Sequence, residues 1–320
     1  MHITVAIRGS KCHQKPDLMS DHINSRFPDI PYLRARAKRR IPGFAFDYLD
    51  GGCNAEINLD RNTREIREIQ LKPYYLRDYK EISMETELFG KKYSAPFGIS
   101  PIGLQGMIWP GASEILAKAA FEENIPYILS TVGTASIEKI AEITEGSAWF
   151  QLYHPVEDAL RDDLLRRTAE AGIEVLVILA DVPSFGYRSK EIRNGLAIPP
   201  RITWRNMVQI ASRPNWALST LMHGQPNFET LKPYIPEGMN LKHLGLFMNK
   251  TFNGKLSEER VKALRDQWKG KLVIKGIATE EDAAKAIELG LDGIIVSNHG
   301  GRQLDMGESS INPLKRIAHL

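Results

Sequence analysis

The sequence predicts an α/β fold, a TIM (β/α)8 barrel truncated after its sixth strand, on three observations. Apolar strand-like runs recur at Pro96–Gly103, Pro126–Thr131, Ala148–Tyr153, Glu174–Val182, Leu272–Ile277 and Gly293–Gly300. Amphipathic helical runs lie between most of them, and strands that are apolar throughout and alternate with helices make a parallel sheet covered by helices. Polar residues and glycines gather at the carboxyl ends of nearly every run, where a barrel builds its active site. A doubly wound sheet concentrates its chemistry at one switch point instead. No G-x-G-x-x-G follows a strand and no Walker A motif is present, so a nicotinamide-binding or P-loop domain is not supported.

Taken in order, residues 1 to 28 carry no periodic pattern and read as an N-terminal extension without fixed structure. Residues 29–320 read as the barrel domain. Pro31 to Gln70 reads as helical and charged, with turns at Pro42-Gly43 and Gly51-Gly52. In Glu114–Asn124 the spacing places Ile115, Leu116, Ala119 and Ala120 on one inward face. In Glu157–Gly172, Leu160, Leu164 and Leu165 share a face, and Gly172 stands as a stop. Thr279 and Asp282 resemble a capping box, with Gly290 ending that helix. About 190–258 is too long for one crossover and reads as an excursion over the barrel mouth. Its segment Trp216–Met222 suits either core packing or a membrane interface.

Bulk properties exclude several classes. The chain has 320 residues, 42% of them hydrophobic, and a net charge of +3, well short of the dense positive field of a nucleic-acid binder. Arg34, Arg36, Lys38, Arg39 and Arg40 form a basic run that suits a solvated helix face, an anionic lipid or a subunit contact. Cys12 and Cys53 form neither a CxxC pair nor a zinc spacing, so no metal site is expected. No segment has the roughly 20 apolar residues that span a bilayer. The expected location is cytoplasmic, with room for peripheral contact at the inner face of the membrane.

Ser297-Asn298-His299-Gly300-Gly301-Arg302-Gln303-Leu304-Asp305 follows an apolar run directly. A histidine at a barrel strand end suits a general base near neutral pH, and an arginine three residues on can grip a carboxylate with two parallel bonds. Asp181 ends another apolar run, where a carboxylate needs a partner, and orienting His299 is such a role. Lys275 ends a third run and calls for an anion: a reduced flavin, a phosphate or a substrate carbonyl. Gln151 and Tyr153 alternate, so their side chains point the same way.

These motifs resemble the FMN-dependent L-2-hydroxy acid dehydrogenases and oxidases, the family of bacterial L-lactate dehydrogenase, glycolate oxidase, mandelate dehydrogenase and flavocytochrome b2. The resemblance runs from about Asp29 to the end. It rests on SNHGGRQLD at 297–305, Phe46-Asp47-Tyr48 before Gly51-Gly52, SPIGLQGM at 100–107, LST at 129–131, WFQLY at 149–153 and VIKGI at 273–277. It implies FMN as cofactor, a small 2-hydroxy acid such as L-lactate as substrate, and a quinone or other carrier as electron acceptor. By the same resemblance His299 is the base, with Asp181 its charge partner. Arg302 binds the substrate carboxylate with Tyr48 assisting, Arg188 supports the substrate, and Tyr153 meets its hydroxyl. Lys275 lies near flavin N1, and Ile102, Gly103, Ser130, Gln151 and Ser297 contact the flavin ring. A homotetramer is implied as well, and no nucleic-acid partner.

Some positions depart from the family pattern. Leu179 stands where glycolate oxidase has a threonine and Val132 where it has a tryptophan, which with Gly103 leans toward a dehydrogenase over an oxygen-using oxidase. The family continues beyond Leu320 with the strands that hold the FMN phosphate. The 320 residues alone are therefore expected to bind FMN poorly and to aggregate through open sheet edges. A non-catalytic truncated scaffold and an aldolase-like barrel with a Schiff base on Lys275 are the competing readings. Asp181 is expected to raise the pKa of the His299 imidazole by favouring its charged form.

Overall fold

The computed structural model of the chain describes residues 25–78, 82–184, 186–196, 201–236, 238–239, 241–252 and 256–320. The expected unstructured extension, 1–28, lies outside these residues up to position 24. The amino-terminal part forms helices α1 (Ile30–Arg40), α2 (Gly43–Asp50) and α3 (Ile57–Arg67), then a hairpin of β1 (Thr86–Leu88) and β2 (Lys91–Tyr93). Helices α4 (Gln105–Ile108) and α5 (Ala112–Glu122) lead to β3 (Ile128–Ser130), α6 (Ile137–Thr144), β4 (Trp149–Leu152), α7 (Asp158–Glu170) and β5 (Val175–Leu179). The excursion contains α8 (Ser189–Arg193), α9 (Trp204–Ala211), α10 (Pro214–His223) and α11 (Leu241–Phe252). The chain returns through α12 (Glu258–Gln267), β6 (Lys271–Ile277), α13 (Glu280–Glu288), β7 (Gly293–Val296) and α14 (Ile311–Ile317).

Strands β3 to β7 pair in sequence order, all parallel, and a parallel bridge from Ile99 to Tyr127 adds a sixth segment before β3. The order never reverses, so the sheet has no switch point; it is a run of consecutive barrel strands, not closed among the described residues. Alternation along the strands separates two surfaces. Leu129, Phe150, Leu152, Leu176, Ile178, Leu272 and Ile274 belong to the main core, with Ala117, Ala120, Ile137, Ile140, Leu164, Leu264 and Ala283 from the helices. Ile128, Trp149, Val175, Val177 and Val273 form a separate cluster on the other face. The hairpin, which the strand pattern did not suggest, adds Phe89 to that cluster, with its ring 5.6 Å from that of Trp149.

One helix expectation needs correction. On α5 the buried positions are Ser113, Ala117 and Ala120, with Leu116 packed beside them, whereas Ile115 is 56% exposed and Ala119 is exposed too. Ala119 and Ile115 are one turn apart, so an apolar stripe exists, but Ser113 takes the inward place by bonding Gln105 and Thr134. Within Trp216–Met222 the two readings divide by residue. Trp216 is buried and packs edge-on against Phe44 at 5.8 Å, while Leu218, Leu221 and Met222 are exposed. The other helix signals match: Gly172 and Gly290 take positive φ after α7 and α13, and Thr279 caps α13 by accepting from Asp282 N at 3.1 Å.

Candidate active site

Each inward row is apolar low in the sheet and turns polar at its carboxyl end. Ile128 is followed two residues on by Ser130, Trp149 by Gln151, and Val273 by Lys275. Register places Ser130 opposite Gln151 and Lys275 opposite Leu179. Period-two alternation therefore delivers Ser130, Gln151 and Lys275 to one side of one rim. The loops beyond β4, β5 and β7 add Tyr153, Asp181, Ser297 and His299.

At the rim, His299 Nδ1 lies 3.0 Å from Asp181 Oδ1, and Lys275 Nζ lies 3.5 Å from Asp181 Oδ2. Lys275 Nζ also donates to Ser297 Oγ at 2.9 Å, and that oxygen accepts from the His299 backbone N–H at 3.0 Å. Burial pushes the Asp181 carboxyl up, but the bond to His299 and the Lys275 charge outweigh it and hold it below the ordinary range. Burial lowers Lys275 despite the attraction of Asp181. For His299 the effect of Asp181 is in the expected, raising direction, but other influences outweigh it. Burial lowers it, the Asp181 bond opposes, and the Lys275 and Arg188 charges add to the lowering, so the imidazole sits below its usual range.

Gly276 explains how Asp181 fits. It holds φ +103°, and a Cβ there would lie 2.5 Å from Asp181 Cβ and 2.6 Å from Cγ. The β6–β7 register also shifts between Lys275 and Ile277. This irregularity makes room for the carboxylate. Gly276→Ala is expected to displace Asp181 and to weaken its hold on His299, which an NMR titration of the imidazole would read as a shifted pKa. An unshifted titration would contradict this account.

A second group of polar side chains stands beside the first. Tyr48 on α2 donates from its hydroxyl to Gly103 O at 3.0 Å. Burial raises its pKa to about 12 against the opposing Arg188 charge. Burial raises Tyr153 as well, with Tyr48 and Asp181 adding and Arg188 opposing. Arg188 is paired with Glu191 at 2.9 Å. Arg302 bonds only carbonyls, Leu49 O at 2.5 Å and Gly300 O at 3.4 Å, and among the described residues it has no ion-pair partner. Burial and the repelling Arg188 charge lower its pKa. Two half-buried guanidiniums that repel each other, one of them paired to no carboxylate among the described residues, make a site that favours an anion.

The sequence-predicted residues thus come together. Tyr48, Gly103, Tyr153, Arg188 and Arg302 form the anion-favouring group, and Asp181, Lys275, Ser297 and His299 form the titratable group. Ile102 is half-buried beside Gly103, and Val132 packs so close to Gly103 that a Cβ there would lie 2.9 Å from Val132 Cγ2. Leu179 is buried in β5 opposite Lys275.

Sequence reasoning missed several supports. His299, Gly300 and Gly301 all take left-handed φ, +57°, +65° and +71°. For a histidine that backbone is uncommon and must be held by its surroundings. Asn298 does so, donating to Asn62 at 2.7 Å and Asn58 at 3.2 Å on α3. Asp305 accepts from Ala55 N at 2.9 Å and Ile57 N at 2.8 Å, capping α3 from a distant part of the chain. Gln303 donates to Ser184 O at 2.8 Å and accepts from Gly186 N at 3.3 Å, which ties the loop before Arg188 to the one carrying Arg302. Asp305 and Gln303 were visible as parts of the 297–305 motif. Phe252, whose ring meets Tyr153 edge-on at 6.1 Å, carried no signal in the sequence.

FMN fits these residues on the chain's own evidence. The Gln151 amide is buried with no hydrogen-bond partner for Nε2, and the buried Lys275 cation stands nearby at the same rim. A ligand with acceptor atoms along one edge and negative charge on reduction would satisfy both.

Parallel barrel strands with a titratable cluster at their carboxyl rim define a barrel enzyme. The FMN-dependent dehydrogenase family profile matches residues 37–320. An L-lactate dehydrogenase of Vibrio parahaemolyticus is 38% identical over 286 residues, covering 89% of this chain and 75% of that protein. One from a Caulobacter species is 36% identical over 287 residues with the same coverage. Among solved structures, (S)-mandelate dehydrogenase, described as a monotopic membrane protein, superposes with a TM-score of 0.84 at 32% identity, covering 89% of this chain and 76% of its own. A mandelate oxidase superposes at 0.72 and 30%, covering 92% and 75%. The chain belongs to the FMN-dependent dehydrogenase family, as an FMN-dependent 2-hydroxy acid dehydrogenase.

Proposed function

We propose that the chain oxidises L-lactate, or a close L-2-hydroxy acid, to the 2-oxo acid and passes the electrons to a quinone or another carrier. The observation that carries this is the meeting of two unneutralised demands at one rim: Arg302 lacks an anion, and the His299 imidazole is held neutral beside Asp181. Arg302, with Tyr48 and Arg188, binds the substrate carboxylate. Tyr153 meets the hydroxyl. The His299 Nδ1–H donates to Asp181, which leaves Nε2 as the basic nitrogen. That nitrogen takes the proton released on oxidation, from the hydroxyl in hydride transfer or from the α-carbon in a carbanion route, and Asp181 stabilises the resulting imidazolium. FMN, when bound, supplies the acceptor for the two electrons. Ile102, Gly103, Ser130, Gln151 and Ser297 would hold its ring, and Lys275 would face the side where negative charge develops.

The choice of L-lactate is supported by the relatives at 36–38% identity, all L-lactate dehydrogenases by name. Protein reconstituted with an excess of FMN, to offset the weak binding expected of these 320 residues, and mixed anaerobically with L-lactate is expected to bleach the flavin. Because His299 is depressed, the acid limb of kcat/KM is expected below the ordinary histidine pKa of about 6.5. No bleaching, or an acid limb well above that value, would sink the assignment. Rapid oxygen consumption without a dye acceptor would move the chain to the oxidase reading. In this proposal residues 29–320 are the catalytic unit, 190–258 is its excursion, and the homotetramer implied by the family resemblance is the assembly.

Peripheral contact with the inner face of an anionic membrane is part of the same proposal. Among the described residues, no helix is long and apolar enough to cross a membrane. The α9–α10 hairpin nevertheless leaves Trp204 78% and Leu221 80% exposed, beside exposed Met207, Val208, Leu218 and Met222. Residues 201–223 include Arg201, Arg205 and Arg213 and no acidic residue. Through Phe44 and Trp216 the hairpin packs on the unit that carries α1, with its exposed Arg36, Lys38, Arg39 and Arg40. Apolar side chains among basic ones suit an interfacial helix on anionic lipid. The protein is expected to float with phosphatidylglycerol vesicles and to stay behind with phosphatidylcholine, and Trp204→Ser with Leu221→Ser is expected to abolish flotation. Flotation unaffected by that pair of changes would rule out this face.

A further inference from the structure

Helix α2, which carries Tyr48, begins after Pro42, and Pro42 has no side-chain cap to offer its amides. The Phe44 N–H is satisfied instead by Gln209 Oε1 of α9, at 2.8 Å and 165 positions away. A Cβ on Gly43 would lie 3.1 Å from the same oxygen, so the Gln209 amide presses against the first turn of α2. Four neighbouring contacts run the same way. Arg213 Nε donates to Ile41 O at 3.2 Å, and Trp216 meets the Phe44 ring edge-on. Asn206 Nδ2 donates to Asn194 O at 3.1 Å, and Asn194 Nδ2 donates to Asp47 Oδ2 at 2.7 Å. The start of α2 is thus fastened to the hairpin. One turn further along, Tyr48 reaches the rim and donates to Gly103 O.

We propose that Gln209 is a positioning residue for Tyr48. Its amide fixes where α2 begins, and thereby where the Tyr48 hydroxyl stands, so the α9–α10 hairpin sets affinity for the 2-hydroxy acid. Fixed helix geometry carries the effect: Phe44 and Tyr48 lie on one face, separated by a single turn. Alanine at 209 leaves the Phe44 N–H without its acceptor. Glutamate keeps the acceptor and places negative charge at a helix N-terminus, where the helix dipole favours it. The inference rests on Tyr48 being a substrate-binding group.

The test compares Gln209→Ala, Gln209→Glu and Tyr48→Phe in the flavin-loaded protein. It reads KM and kcat for L-lactate together with amide exchange at residues 44–48. Gln209→Ala is expected to raise KM roughly fivefold, the size of one lost cap, with kcat within about twofold and faster exchange at Phe44. Gln209→Glu is expected to restore both. If Tyr48→Phe raises KM and Gln209→Ala does not, the coupling is wrong while the role of Tyr48 stands. If Tyr48→Phe leaves KM unchanged, the role of Tyr48 fails and takes the coupling with it. Should Gln209→Ala fold poorly, Gln209→Glu decides alone: wild-type KM and exchange support the proposal, and a raised KM overturns it.

Discussion

Glutamine in place of His299 is expected to abolish the bleaching of bound flavin by L-lactate while leaving the flavin in place. The expected loss is about 10²- to 10⁴-fold, the usual contribution of a positioned general base. Glutamine can still donate to Asp181 but cannot accept and hold a proton at the working pH. The imidazole meets Asp181 through Nδ1, and the His299 backbone N–H donates to Ser297 Oγ; these contacts fix the residue without making its ring part of the expected cofactor cradle. Stopped-flow absorbance under argon measures the effect, and flavin absorbance before mixing checks binding. The direction of the His299 shift sharpens the expectation. Burial with Lys275 and Arg188 lowers its pKa, so the wild-type base stays neutral into mildly acidic solution. In the variant the residual rate should lose that acid limb. A variant that bleaches as fast as the parent would remove His299 from the chemistry.

Asp181→Asn is expected to be nearly as severe, and to act on stability as well as rate. The carboxylate faces His299 on one oxygen and Lys275 on the other, with all three side chains largely buried. Asparagine keeps the shape and removes the charge, leaving the Lys275 cation without its counterion. Breaking one side of a buried pair costs about 3–5 kcal/mol. The imidazolium formed during oxidation also loses its stabilising partner, so a rate loss of the same order as for His299→Gln is expected. The pH dependence has a definite sign. Asp181 titrates below its unfolded value, so its contribution to stability is present above about pH 4 and is lost as the pH falls through the lower folded value. Thermal melts of parent and variant should therefore differ most near neutral pH and converge in acid. Equal melting temperatures at neutral pH would show that the Asp181–Lys275 pair contributes nothing net.

The sequence made the rim legible because two independent patterns agree there. Period-two alternation put Ser130, Gln151 and Lys275 at strand ends, and the 297–305 motif put His299 and Arg302 after the last strand. What it did not show depends on contacts between distant residues. The Phe89 hairpin consists of two three-residue strands, too short for a periodic signal, and it is stabilised by Trp149 and its neighbours. The inward face of α5 turned on a hydroxyl, because Ser113 had partners in Gln105 and Thr134 that Ile115 could not use. The direction of the His299 shift depended on how deeply the ring is buried and on the Lys275 and Arg188 charges, none of which the spacing of Asp181 and His299 could reveal. Phe252 shows the same limit, since only the path of the excursion brings it onto Tyr153.

The capping of α3 by Asp305 has a consequence for synthesis on the ribosome. The two partners are separated by 248 to 250 positions, so the amide groups at the start of that early helix wait until the residues between have been made. Until the late loop has left the exit tunnel, the segment around residue 57 has only water as an acceptor for those amides and no seat beside Asn298. Translation order and docking order are therefore inverted: a helix made early is fastened only once a loop made much later reaches it, and contacts of such long sequence range close slowly.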